Sequence, residues 1–360
     1  MYRITKPTLL LDKKKAIQNI KRMVEKAKAS GVNFRPHFKT HFSREIGEWY
    51  RDNGVKSITV SSIDMAVFFA GHDWKDITIA FPVNILQMDV LKHLAKHIKL
   101  GLIVDSLDAI QKINEHITSS VDIYIKIDTG YHRVGVWHEN VDQIKNLAEA
   151  INDPHVFKGL LAHFGHTYNE TDKEKVIAIY NSGVQALNQL KGQLDSELII
   201  SIGDTPSCSL SQNFQGVDEI RPGNFVFYDA MQEQIGSCSF DDIAVCLAVP
   251  VVAVYPEKSE IVVHGGAVHL SKDYITSGDG SHIYGRIVKL EDKGWSSPLE
   301  DHLVISLSQE HGKISVPKDQ MSNFKVGDVI GILPIHSCLT ANLMKEYMSM
   351  RGEKIGTMHS

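Results

Sequence analysis

The feature that most constrains this chain is a strict alternation of short apolar runs with helical stretches across its first 221 residues. Pro7–Asp12 reads as a strand, and Asp12 as the N-cap of a helix to about Ala29 with Ile17, Ile20, Val24 and Ala27 on one face. Gly31 closes that helix, and a strand over 32–37 ends at Lys39. Further strands are expected at Ser57–Val60, Ile77–Ala80, Gly101–Val104, Asp122–Ile127, Phe157–Ala162, Ile199–Ser201 and Glu219–Arg221. Helical patterns at Met88–His97, Leu107–Ile117, Val141–Ile151 and Asp172–Leu190 separate most of them. Alternation of this kind requires parallel strands, and eight of them argue for a closed α/β barrel of the TIM type. A doubly wound open sheet is the alternative, but no G-x-G-x-x-G follows the first strand.

The texture changes near residue 240. Val245–Tyr255, Glu260–His264, Gly285–Leu290, Leu303–Leu307 and Val329–Leu333 are β-branched runs broken by turn residues, with no long helix between them. The expected organisation is a barrel over residues 13–238 and a C-terminal all-β domain, over 239–360, to which residues 1–12 belong.

The bulk composition narrows the function class. A formal net charge of -5 leaves no basic footprint for nucleic acid. No apolar stretch approaches the roughly 20 residues of a membrane span, and the first residues lack the apolar core of a signal peptide. Four scattered cysteines are too few for a disulfide framework, so a cytoplasmic, reduced protein is expected.

Catalytic groups of a barrel sit at the carboxyl ends of its strands. Those ends carry Arg35-Pro36-His37-Phe38-Lys39-Thr40-His41, Asp128–Arg133, His163–Tyr168, Gly203–Ser207 and Arg221–Tyr228. A lysine crowded by other cations and by burial becomes a free amine able to attack a carbonyl, which makes Lys39 a candidate Schiff-base lysine. The Gly-Asp-Thr-Pro-Ser turn offers close backbone approach, hydroxyls and N–H groups, which suit a phosphate dianion. An amine at one end and an anion cradle at the other is the layout that pyridoxal 5'-phosphate requires, with Arg133 and Tyr168 placed as partners of its ring.

These segments, with Gly165-His166-Thr167-Tyr168, together resemble the alanine-racemase-like, fold-type III pyridoxal-phosphate enzymes. Gly203–Pro206, Arg221–Tyr228 and Pro334-Ile335-His336-Ser337-Cys338 narrow the resemblance to the D-threonine aldolase/D-serine dehydratase branch, over nearly the whole chain. The resemblance implies a barrel of the alanine racemase N-terminal type. It implies that Lys39 holds the cofactor and takes the α-proton of a D-amino acid. His37 and Arg133 would address the cofactor, Arg133 at O3', with Tyr168 near the pyridine nitrogen. Gly203, Thr205, Gly223, Asn224 and Tyr228 would complete the cofactor site, with Thr205, Gly223 and Asn224 on the phosphate. His336 and Cys338 would hold a divalent metal. One departure is Phe42, which follows His41 where family members usually carry another lysine.

Two reactions of D-β-hydroxy amino acids compete within that branch. Dehydration yields a keto acid and ammonia; retro-aldol cleavage yields glycine and an aldehyde. Dehydratases of the branch pair His with Cys, whereas the aldolases usually pair His with Asp. Thiolate favours zinc and carboxylate favours harder ions such as manganese. The expectation is therefore a zinc-assisted D-serine dehydratase-like lyase, acting on D-serine, D-threonine or 3-hydroxyaspartate. A D-threonine aldolase is the alternative within the branch; an amino acid racemase or a non-catalytic cofactor-binding protein are the alternatives outside it. The resemblance also implies a homodimer. Glu310-His311 reads equally as a group facing the site or as a surface turn, while His264, His269 and the four tryptophans read as structural.

Overall fold

The alternation of apolar runs and helices is realised as a ring of parallel strands. The structure, a computed structural model, describes residues 4–360. One compact unit comprises Lys21–Lys39 and Gly47–Gly223; the other comprises the residues up to Ile20, Thr40–Ile46 and Asn224–Ser360.

In the first unit the strands Asn33–Phe34, Ile58–Val60, Asp76–Pro82, Lys99–Val104, Asp122–Asp128, Val156–Ala162, Ile199–Ile202 and Glu219–Ile220 lie side by side in chain order. The last strand returns to the first, Glu219 opposite Asn33 and Ile220 opposite Phe34. The other seam is a parallel bridge between His37 and Thr59, where the Thr59 N–H donates to the Pro36 carbonyl at 2.9 Å. This is the expected TIM-like barrel. Successive strand side chains point to opposite faces. Along Asp122–Asp128, Ile123, Ile125 and Ile127 are fully buried on one face, while Tyr124 on the other packs with Ile103 and Leu161. Lys126, Glu219 and Arg221 are also buried, so the barrel encloses charge as well as apolar surface.

The second unit is antiparallel. Val245–Tyr255 pairs with both Glu260–His264 and Val329–Pro334. The ring is completed through His311–Ser315, Leu303–Leu307 and Gly285–Val288, giving a six-stranded barrel of about the expected strands. Thr8–Leu11 adds to it antiparallel, with Leu10 opposite Cys246, followed by Glu346–Ser349 and Lys354–Gly356. Along Val245–Tyr255 the register with Glu260–His264 shifts between Val251, opposite Val263, and Ala253, opposite Val262, as at a β-bulge. No long helix separates these strands, as expected; a helix of two turns, Ser337–Met344, follows Val329–Pro334 and carries Cys338. No helix among the described residues is long and apolar enough to cross a membrane.

Candidate active site and metal pair

Lys39 lies in the tight turn Phe38–Thr40 that leaves the first barrel strand. The turn is anchored by Phe38, fully buried against Tyr50, Phe69 and Trp74 at centroid distances of 4.9, 5.0 and 5.1 Å. Core packing of Trp74 thus helps to place the turn that carries the candidate Lys39. His37 and His163 both feel the Lys39 ammonium. Burial first, then Lys39 and the Arg133 guanidinium among other cations, hold both imidazoles well below their ordinary range, so both are neutral. His163 Nδ1–H donates to the Gly203 carbonyl, which leaves Nε2 as the acceptor.

The loop after Asp122–Asp128 is shaped by Asp128, whose Oδ1 accepts from the N–H groups of Gly130 and His132 at 3.0 and 3.1 Å. Arg133 is exposed and lies over the Tyr131 ring, 4.9 Å from its centroid. A side chain at Gly165 would come within 2.3 Å of that ring, so the close approach of Tyr131 requires glycine there. Lys126, a buried group of the same strand, gives its ammonium to the Ile127 carbonyl at 2.9 Å. Burial, reinforced by Arg221 and Arg133, pushes it down to about 7.

The anion cradle is equally specific. Asp204 caps the helix Thr205–Leu210, accepting from the Ser207 N–H at 2.8 Å and from the Thr167 hydroxyl at 3.0 Å. A Cβ at Gly203 would sit 3.0 Å from the Arg221 carbonyl, so glycine permits the backbone approach. The Thr205 N–H donates to the Tyr168 phenol oxygen at 3.2 Å, which ties Tyr168 to this loop. Thr205 Oγ1 is buried and has no hydrogen-bond partner among the described residues. An unsatisfied buried hydroxyl at a helix start fits a phosphate acceptor, and Lys39 fits the aldehyde. Gly223 ends this unit, at the carboxyl side of the last strand.

Asn224 opens the main segment of the second unit, and its side chain is committed there. Nδ2 donates to Asp229 Oδ2 at 2.6 Å, to Ser337 Oγ at 3.0 Å and to Cys338 Sγ at 3.6 Å. The side-chain amide of Asn224 is thus engaged within its own unit. Tyr228, just before Asp229, is buried at a positive φ of 49°. Cys338 also meets the Thr40 hydroxyl at 3.3 Å. N–H donation to sulfur favours thiolate, the form that binds metal. His336 gives Nδ1 to Asp273 Oδ2 at 2.7 Å and shares a second hydrogen bond with Cys338. Burial opposes its charged form, but Asp273 and Cys338 outweigh burial and raise it to about 11. One imidazole nitrogen and one sulfur brought together in this way suit a borderline-soft divalent cation.

Asp229 and Asp273 carry no local motif and are not legible as site residues, while Thr40 lies inside the Arg35–His41 run without a role being read for it. Asp229 is signalled only by its position before Ala230–Ile235, which it caps through the Gln232 N–H at 3.0 Å. A second histidine cluster joins His264 and His269, both beside Glu310, with ligand atoms all within 4.8 Å. There the Gly266 N–H donates to His269 Nδ1 at 3.2 Å, so the ring proton sits on Nε2, facing Glu310 at 3.7 Å. That imidazole offers Glu310 a donor and has no lone pair for a cation. His311 pairs across the sheet with His264. On the first unit, a cleft lined by Ser61, Ile79, Phe81, Pro82 and Leu102 among others holds no titratable group and none of the residues above.

A parallel barrel with a strand-end lysine and a capped anion cradle, in one chain with an antiparallel β-barrel, is the architecture of a pyridoxal-phosphate enzyme of fold type III. The family model of the alanine racemase N-terminal domain matches residues 11–230, and that of a serine dehydratase domain matches 244–350. A D-serine dehydratase of Dictyostelium discoideum is 32% identical over 91% of this chain and 89% of its own length. The solved D-threo-3-hydroxyaspartate dehydratase of Delftia sp. HT23 superposes with a TM-score of 0.90 at 25% identity, covering 99% of this chain and 98% of its own; a variant has been solved in a metal-free form. A D-threonine aldolase of Filomicrobium marinum shares the fold with a TM-score of 0.85 at 21% identity, over 98% and 95% of the two chains. The chain belongs to the alanine-racemase-like, fold-type III pyridoxal-phosphate enzymes, in their D-serine dehydratase/D-threonine aldolase branch, and is a lyase of that branch.

Proposed function

We propose that this lyase removes water and then ammonia from D-β-hydroxy amino acids, D-serine foremost, giving the keto acid. The observation that carries this reading is the His336–Cys338 pair: the second ligand is a thiol, held by Asn224 Nδ2 and Thr40, and not a carboxylate. Pyridoxal phosphate, when bound, supplies the electron sink for a carbanion at Cα, and a zinc ion on His336 and Cys338 supplies a Lewis acid for the departing hydroxyl.

The chain's own groups do the rest. The Lys39 amine would hold the cofactor at its aldehyde carbon, and the same amine would take the α-proton of the substrate. His37 and His163, both neutral, leave no fixed imidazolium to compete with Lys39 for anionic groups. His163 is locked on the Gly203 carbonyl, so its face is fixed beside Lys39. Arg133, held over Tyr131, addresses O3'; Tyr168, held on Thr205, is assigned to the pyridine nitrogen; His37 and Tyr228 border the cofactor. Gly203, the Thr205 hydroxyl, Gly223 and the Asn224 backbone receive the phosphate. The water lost in elimination is regained when the released enamine hydrolyses, so keto acid and ammonia together account for every atom of substrate.

The protein acts as a homodimer in this reading, supported by apolar side chains at the end of Asp76–Pro82 and in the turn after it: Phe81, Ile85 and Leu86 are 59%, 42% and 89% exposed. Four cysteines, all free thiols, support a reducing, cytoplasmic compartment. Product identification by NMR with D-serine and D-threonine, with and without chelator, is the test. Pyruvate or 2-oxobutyrate with ammonia, lost on chelation, is expected. Glycine and acetaldehyde from D-threonine would replace this reading with the aldolase one.

A further inference from the structure

We propose that Asp273 is the positioning residue of the metal pair: its carboxylate fixes the tautomer and ring orientation of His336, so that Nε2 presents its lone pair beside the Cys338 sulfur. This role rests on the metal-binding reading above. The contact is direct, 2.7 Å from His336 Nδ1 to Asp273 Oδ2, between side chains 32% and 35% exposed.

An ionised carboxylate only accepts, so when a cation replaces one of the two ring protons of His336 the proton that stays is the one on Nδ1, facing Asp273. Nε2 is then the only nitrogen with a free lone pair. Cys338, the second expected ligand, shares a hydrogen bond with this ring, and the Asp229 carboxylate acts on it electrostatically. Without Asp273 the two tautomers become comparable in energy, and the ring is free to turn about its χ2 bond. A cation binding there must then select one arrangement among several, at the expense of affinity.

The position of Asp273 is itself specified by the fold. Its N–H donates to Ser271 Oγ at 3.2 Å, and Ser271 adopts a φ of 71°, which bends the chain sharply after Ala267–Leu270. That short helix is fastened to Ser337–Met344 by Thr340 Oγ1, which donates to the Leu270 carbonyl at 3.3 Å. Asp273 is therefore delivered to His336 by a rigid turn docked on the helix that bears Cys338. Carboxylate partners of metal-bound histidines recur for this reason, and their removal typically weakens metal binding about 10- to 100-fold.

The test is zinc affinity of the full-length, cofactor-loaded protein, measured by competition with a chromophoric chelator. Asp273→Ala is expected to bind zinc about 10- to 100-fold more weakly than the wild type. Asp273→Asn, whose amide oxygen still accepts from Nδ1–H, is expected to recover most of the loss. Cobalt substitution gives a second readout. In D273A the thiolate-to-cobalt band of Cys338 should persist, while the ligand-field bands change as the imidazole is lost. Cofactor absorbance and the circular dichroism spectrum report whether each variant is folded. Zinc affinity and cobalt spectrum unchanged in D273A, or D273N no better than D273A, would overturn the role. A wild type that holds no zinc would overturn the metal reading itself, and this role with it.

Discussion

Arg35 Nε donates to Glu219 Oε2 at 2.7 Å, so a charge pair joins the first barrel strand to the last. Arg35 Nη1 reaches Asp76 at 2.5 Å, while Glu219 Oε1 accepts from Ser201 Oγ, which in turn accepts from Arg221 Nε, both at 2.7 Å. Arg35 and Glu219 are almost wholly buried. Burial works against the Arg35 charge, but Glu219 and Asp76 overcome it and raise the guanidinium further above its ordinary value. Glu219→Ala would leave the buried Arg35 with Asp76 as its remaining carboxylate partner and Ser201 without its acceptor. A loss of about 1.5–3 kcal/mol, that of a hydrogen bond to a charged group, is expected from the urea unfolding midpoint.

Asp204 predicts a pH dependence. Burial raises its carboxyl to about 6 from 3.8, against the lowering effect of its bonds from Ser207 and Thr167. Between those two values the folded protein binds more protons than the unfolded chain, so stability falls as pH rises through that window. The penalty is absent below the unfolded value and complete above about pH 6, where it amounts to about 3 kcal/mol. Asp204→Asn keeps an acceptor for the Ser207 N–H and removes the charge. Denaturant midpoints measured from about pH 4 to 7 should fall for the wild type and stay level for the variant. A level wild-type profile would show that Asp204 ionises without cost.

Gly165 predicts a coupling between packing and cofactor binding. Gly165→Ala would drive a methyl into the Tyr131 ring, which lies 2.3 Å from the position of that carbon. Arg133, stacked on the same ring, must move with it. Overpacking of this kind costs about 1–3 kcal/mol. The expected outcome is a lowered melting temperature together with weaker cofactor retention, read by fluorescence titration. Lower stability with unchanged cofactor affinity would separate Arg133 from the cofactor.

The barrel was legible because its signals are local. Each apolar run ends where a candidate site loop begins, near Lys39, Asp128, His163 and Gly203, and the observed strands fall within a residue or two of the expected ones except the first, expected over 32–37 and observed as Asn33–Phe34. The β unit was less so. His311–Ser315 has a single branched apolar residue, Ile314, and is made a strand by pairing with Glu260–His264, which no local pattern announces. Glu346–Ser349 and Lys354–Gly356 likewise form a hairpin around Gly352 and become strands through Thr8–Leu11. Asp273 lies 63 residues before His336, and only tertiary structure brings the two together. Asn224 falls between: its place after Gly223 reads as a phosphate contact, while its side chain serves Asp229, Ser337 and Cys338.

The choice of Cys338 should set which metal the enzyme prefers. Its sulfur receives Asn224 Nδ2 at 3.6 Å and meets the Thr40 hydroxyl at 3.3 Å, an environment that a carboxylate oxygen would also accept. Cys338→Asp therefore keeps a hydrogen-bonded anionic ligand while exchanging soft sulfur for hard oxygen. Affinity should move from zinc toward manganese, because thiolate contributes more to zinc than to the harder ion. Cys338→Ala removes the ligand altogether and should abolish stoichiometric zinc binding while leaving the barrel's cofactor absorbance in place. Metal content by mass spectrometry after equilibration with equal zinc and manganese distinguishes the three proteins. If C338A retains zinc at the wild-type ratio, the ion is held elsewhere. If C338D retains the wild-type preference, sulfur is not what selects the metal.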